Sequence, residues 1–201
     1  MWREWTTYSV ATSPDIPMPN PSAARTVLAL RLPEVDLLFG DLRHRYGTSL
    51  KHSFGPHIAI RNNFTLPGGG TADTIQMLAA ACTFTAPFEI ALTRVGYFRS
   101  TVYFAPEPTG PIHRLETRIS QLFPPSSMDV RRFKSHVVMG KGLLPPQAVT
   151  FVTALEHRIK QSGALLTVCS ELSLMSFEDD QWNVINRFVF GNVVRTECIK
   201  A

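Results

Sequence analysis

Cysteine is scarce in this 201-residue chain. Cys82, Cys169 and Cys198 are odd in number and scattered, so neither a disulfide framework nor a thiolate metal site is expected. They read as reduced packing residues of a cytoplasmic protein. No apolar run approaches the length of a membrane span, so no membrane partner is expected. The opening stretch "MWREWTTYSVATSPDIPMPNPSAAR" lacks the basic-then-apolar pattern of a signal peptide. There is no dense Lys/Arg block. The net charge of +4 suits an anionic ligand without implying nucleic acid by itself. "PGGGT" (67–71) has neither the lysine nor the spacing of a P-loop, and no Ser, Cys or Asp nucleophile elbow occurs.

What is present is a globular composition, 44% hydrophobic and 18% charged, enough to exclude a disordered chain. Pro14, Pro17, Pro19 and Pro21 mark an extended N-terminal arm, residues 1–25. Residues 26–201 then form one bilobal domain. "TVLALRL" (26–32) reads as a strand, and "PEVDLLFGDLRHRYG" as a helix with Val35, Leu38 and Leu42 on one face. "GPHIAIRNNF" (55–64) reads as a strand. "PGGGTADTIQMLAAAC" is a turn and a helix capped by Thr71 or Asp73 that buries Ile75, Leu78 and Cys82. "FEIALTRVGYF" (88–98) is a strand.

The second half runs in the same order. It has a strand (101–106), a helix with Ile112, Leu115, Ile119 and Leu122 on one stripe, and a strand in "KSHVVMGKG" (134–142). A helix with Ala148, Val152, Leu155 and Ile159 inward follows, stopped by Gly163, and then two closing strands. This repeat of order predicts an α+β fold: two pseudo-symmetric lobes, about 26–98 and 99–201, whose C-terminal strands cross over. Mainly antiparallel sheets would flank a central cleft, with helices outside.

Each half carries one histidine at the entrance of its middle strand, His57 and His136. Equivalent positions in two matching half-folds bring both imidazoles to one cleft. A single histidine at a strand entrance is usually structural; the matched pair shifts the balance. Imidazole titrates near neutrality, so one ring can be a base while the other is an acid. Strict alternation puts Ala59 and Arg61 on the face of His57, and points Lys141 away unless Gly140 and Gly142 turn it back. Arg61 and Lys141 are the candidate phosphate-binding residues. Arg131, Arg132 and Lys134 lead into the second site segment. Tyr97, Phe98 and Tyr103 are candidate base-stacking rings, with core packing as the commoner use. A metal held by the two histidines would need a third ligand. His52 or Glu89 could be imagined, but no spacing favours either, and no metal or other cofactor is expected.

"PHIAIRNNF" and "SHVVMGKG" resemble the two His-x-Thr/Ser-x motifs of the two-histidine (2H) phosphoesterase superfamily, which includes bacterial 2′-5′ RNA ligase-type proteins and RNA cyclic phosphodiesterases. The resemblance covers about residues 26–190. It implies paired-histidine cleavage of a 2′,3′-cyclic phosphate on an RNA end or a small nucleotide, without metal, with 2′,5′ joining of RNA ends in some relatives; a monomer is the expected state. It also implies that His57 and His136 are the catalytic pair, with base and acid unassigned. The family's phosphate-binding hydroxyls fall on Ala59 and Val138, neither of which can donate. A noncatalytic nucleotide- or RNA-binding module on the same fold is the alternative expectation.

Overall fold

The structure, a computed structural model, describes residues 25–47, 54–64, 72–124 and 133–191. Its elements alternate as the sequence order implied: β1 (Arg25–Arg31), α1 (Glu34–Tyr46), β2 (His57–Asn62), α2 (Ala72–Thr83), β3 (Phe88–Phe98), β4 (Thr101–Glu107), α3 (Gly110–Leu122), β5 (Val137–Lys141), α4 (Pro145–Ser162), β6 (Leu165–Cys169), β7 (Glu171–Glu178) and β8 (Gln181–Val189). Residues 1–24 of the N-terminal arm and the helix cap at Thr71 lie outside the described residues, while Arg25 opens β1.

Local chemistry explains the helix limits. Pro33 precedes α1, Glu34 and Asp36 fill its first turn, and Arg43, His44 and Arg45 fill its last, each charge complementing the helix dipole. α4 begins on Pro145 and stops at Gly163, whose φ of 82° favours glycine. The buried stripe of α1 is Val35, Phe39 and Leu42, with Leu38 only partly covered. The expected stripe is thus rotated by one residue, because the larger phenyl takes the centre of the contact. In α4 Phe151 is likewise buried between Ala148 and Leu155. Leu122, expected inward on α3, is exposed.

The strands form one eight-stranded sheet in the order β6-β3-β4-β5-β2-β1-β7-β8, with every pairing antiparallel. Alternate strand residues and the inner stripes of all four helices make one core on one face of this sheet. No described helix covers the other face. Phe39 of α1 meets Phe104 of β4 with ring centroids 4.9 Å apart, both rings fully buried. Phe104→Ala should cost about 3–5 kcal/mol of unfolding free energy, read from urea midpoints at constant slope.

The lobes do not divide the chain at residue 98. β3 turns into β4 through Arg99 and Ser100, with Arg99 at φ 55°, and so tight a turn forces β3 to pair beside β4. β3 therefore joins β4, β5 and β6, while β7 and β8 return to β1. The helices follow. α1 and α4 pack together under β3 to β6, and α2 and α3 pack together under β2 and β8. Each lobe is four strands and two helices drawn from both halves. The lobes meet where Ile58 of β2 pairs Val137 of β5.

Candidate active site

His57 opens β2 and His136 immediately precedes β5, the two central strands. Extending the Ile58–Val137 pairing by one residue each way sets His57 opposite Val138 and Ala59 opposite His136. The two imidazoles are therefore diagonal neighbours on the helix-free face, a spacing of about 7–8 Å between residues and somewhat less between β-carbons. The two positions lacking a hydroxyl, Ala59 and Val138, complete the diamond.

Both rings are anchored in the same way. His57 Nδ1 lies 2.8 Å from the Gly55 carbonyl oxygen, and His136 Nδ1 lies 2.8 Å from the Lys134 carbonyl oxygen. A carbonyl only accepts, so each Nδ1 carries its hydrogen and each Nε2 is the nitrogen that exchanges protons. Gly55 adopts φ 91° to present that carbonyl.

The environments differ. His57 is half-buried and stacked against Phe54, with centroids 3.9 Å apart. Burial pushes its pKa below the ordinary imidazole value, the Gly55 hydrogen bond opposes this, and the Arg43 and His136 charges add to the lowering. His136 is exposed, with Tyr103 edge-on at 5.7 Å. The Tyr103 ring in turn lies across Gly96, where a β-carbon would collide with it.

The lowered His57 value has a consequence for stability. The unfolded chain takes up this proton first as pH falls, near pH 6.5. The contribution of neutral His57 is complete above that pH and is lost as pH drops towards the depressed folded value. His57→Gln should flatten this dependence, measured as the difference in urea midpoint between pH 5.5 and 7.5.

Two bulges reset the remaining positions. Leu28 faces Arg61 and Ala29 faces Ala59, so Ile60 is an extra residue in β2. Val102 faces Gly140 and Tyr103 faces Val138, so Met139 is an extra residue in β5. Each bulge lies on the third residue after its histidine. Arg61, expected beside His57 as a phosphate-binding residue, is thereby turned to the helix side, where its Nη2 donates to Ser120 Oγ at 2.7 Å and to the Phe123 carbonyl oxygen at 3.1 Å. Lys141, a candidate only if the backbone turned it back from strict alternation, is turned to the cleft face, opposite Thr101.

The other candidates separate. Phe98 pairs Thr101 on the cleft face and is 64% exposed, whereas Tyr97 pairs core residue Val102 and turns to the helix side. Arg131, Arg132 and His52 lie outside the described residues. Glu89 pairs Val168 at the β6 edge of the sheet, away from the histidines. Among the described residues no group of three His, Cys, Asp or Glu side chains is gathered as for a metal. Cys82 and Cys169 are free, buried thiols, with pKa values pushed up to about 12 by burial. No described helix is long and apolar enough to cross a membrane.

Sequence reading missed three side chains. Arg31 pairs His57 across β1 and β2 on the cleft face, in phase with Val27 and Ala29. Alternation along "TVLALRL" carried that signal. Phe54 packs on the patch of Val27, Ala29 and Met175, and Trp182 of β8 meets it with centroids 4.9 Å apart. Nothing in their spacing links Phe54 with Trp182.

A family model described as the 2′-5′ RNA ligase superfamily matches residues 19–181. Among solved structures, TT0787 of Thermus thermophilus is similar at a TM-score of 0.55 and 16% identity, over 83% of this chain and 98% of that one. E. coli LigT complexed with 3′-AMP is similar at 0.51 and 13%, over 83% and 97%. E. coli LigT complexed with phosphate is similar at 0.50 and 14%, over 83% and 96%. No curated protein matches the chain.

Proposed function

The chain belongs to the 2′-5′ RNA ligase superfamily, and from that premise we propose that it is a phosphodiesterase that opens the 2′,3′-cyclic phosphate of an RNA end or a small nucleotide. The observation that carries the proposal is the pair of diagonal imidazoles, each held through Nδ1 by the carbonyl two residues earlier. The half-buried His57, biased to its neutral form, is the base. Its Nε2 takes a proton from water as the water oxygen bonds to phosphorus. The exposed His136 is the acid. Its Nε2 gives a proton to the ribose oxygen as that P–O bond breaks. The product is a monoester, and solvent exchange restores both rings.

The phosphate must be held without hydroxyls at 59 and 138. Arg31, opposite His57, and Lys141, on the strand that follows His136, are cations on the same face, and a guanidinium can grip two phosphate oxygens. That a LigT structure contains phosphate and another 3′-AMP supports a nucleotide ligand here. With the proton transfers supplied by two imidazoles, the reaction needs no metal. The protein acts as a cytoplasmic monomer, the compartment argued from its free, inert thiols. Ala59 and Val138 favour a second reading, a nucleotide-binding module without turnover.

The test is incubation in EDTA with a cyclic-phosphate-ended oligonucleotide and, separately, with 2′,3′-cyclic mononucleotides. New monoesters are expected. Binding without any monoester would leave only the second reading.

A further inference from the structure

The helix-free face carries aromatic area that no described element covers. From His57 the rings run outward in order. Phe54 stacks on the imidazole, Trp182 meets Phe54 at 4.9 Å, and Phe177 meets Trp182 at 5.3 Å. The Arg25 guanidinium lies 4.6 Å over the Phe177 ring. All three aromatic side chains are only half-buried, and Arg25 is exposed. The register fixes the outer part of this row: Arg25 pairs Phe177 across β1 and β7, and Phe177 pairs Trp182 across β7 and β8. The β7–β8 turn, with Asp179 at φ 49° and Asp180 at φ 59°, is a tight one that holds that register. Phe54 and Trp182 rest on a buried patch of Val27, Ala29 and Met175, which Ala59 and Val184 also flank.

A half-exposed aromatic row bounded by a cation, and continuous with a phosphate-handling histidine, has the chemistry of a base-stacking surface. We infer that Phe54, Trp182 and Phe177 form a nucleobase subsite. It takes the base of the nucleotide whose phosphate sits at the histidines, and Arg25 meets the next phosphate of a longer strand. The inference rests on the function proposed above. It adds which lobe receives the base: the one built on β1, β7 and β8, not the Tyr103 side. Stacking tolerates any base, since each has a π-face, so the subsite selects nucleotides over other phosphate esters without reading sequence.

Trp182 reports on its own environment. The chain has two other tryptophans, Trp2 and Trp5, and Trp2→Phe with Trp5→Phe isolates the Trp182 emission. In that background 3′-AMP should change Trp182 fluorescence saturably, whereas inorganic phosphate and ribose 5-phosphate at equal concentration should not. In steady-state assays with a 2′,3′-cyclic mononucleotide, Trp182→Leu should raise KM roughly tenfold with a much smaller change in kcat, and Trp182→Phe should restore most of the loss. If ribose 5-phosphate gives the same fluorescence change, or if calorimetry shows 3′-AMP binding while Trp182 emission stays constant, the base lies elsewhere and the subsite is wrong. The hydrolase reading then stands or falls on monoester formation alone. If neither 3′-AMP binding nor turnover occurs, the functional reading fails and takes the subsite with it.

Discussion

Replacing either His57 or His136 with alanine should lower hydrolysis of a 2′,3′-cyclic phosphate by about 10²–10⁴-fold. The two losses should not multiply in the double variant. A base without an acid leaves the departing alkoxide unprotonated, and an acid without a base leaves water a poor nucleophile, so the pair acts as a unit. The unsubstituted protein should show a bell-shaped dependence of kcat/KM on pH. Its acid limb reflects protonation of His57, and burial places that limb below the ordinary imidazole value. Its alkaline limb reflects loss of the general acid. The His136 charge adds a little to the lowering of the His57 pKa, behind burial and Arg43. Turnover persisting in the double variant would assign the chemistry elsewhere.

Val138→Thr should raise the rate by up to about 10²-fold, the scale on which a single transition-state donor acts. Threonine nearly matches valine in shape, and position 138 lies opposite His57 at the lobe junction. Its hydroxyl would enter the diamond without repacking. Ala59→Thr should gain much less. Phe54 and Ala59 share the patch of Val27, Ala29 and Met175, and Phe54 also stacks on His57, so a larger side chain at 59 crowds the patch on which that ring rests. The threonine at 138 should cost little stability, because that position is only half-buried and its hydroxyl keeps access to water. A noncatalytic binding module would show no rate for either substitution to raise. The comparison of the two variants therefore tests both the missing hydroxyl and the position of Phe54.

The histidine pair was legible because it repeats. Two halves with the same order of elements put His57 and His136 in equivalent strands, and the shared Nδ1 anchoring reflects that equivalence. Counting by twos beyond each histidine failed at the same step in both strands. A bulge adds a residue to one strand without leaving a mark such as proline or glycine at Ile60 or Met139, and it inverts the face of everything after it. Arg61 and Lys141 therefore exchanged faces relative to strict alternation. Arg31, in contrast, obeys alternation with Val27 and Ala29. The apolar residues on both faces of "TVLALRL" mask which face Arg31 takes. The helix stripes were legible to within one residue, as Phe39 in place of Leu38 shows. The partition of lobes was not, because β3 pairs according to the two-residue turn after it rather than its place in the first half. Trp182 stands far from Phe54 in the chain, and only tertiary packing brings them together.

The central claim is that His57 and His136 address one phosphate. It is tested most directly by a crystal structure of the protein soaked with inorganic phosphate near neutral pH. The predicted result is a single anion on the helix-free face, with oxygen atoms within hydrogen-bond reach of both Nε2 atoms, about 2.6–3.2 Å. Two separate anions each touching one ring, or an occupied site elsewhere while the space between the rings stays empty, would contradict it.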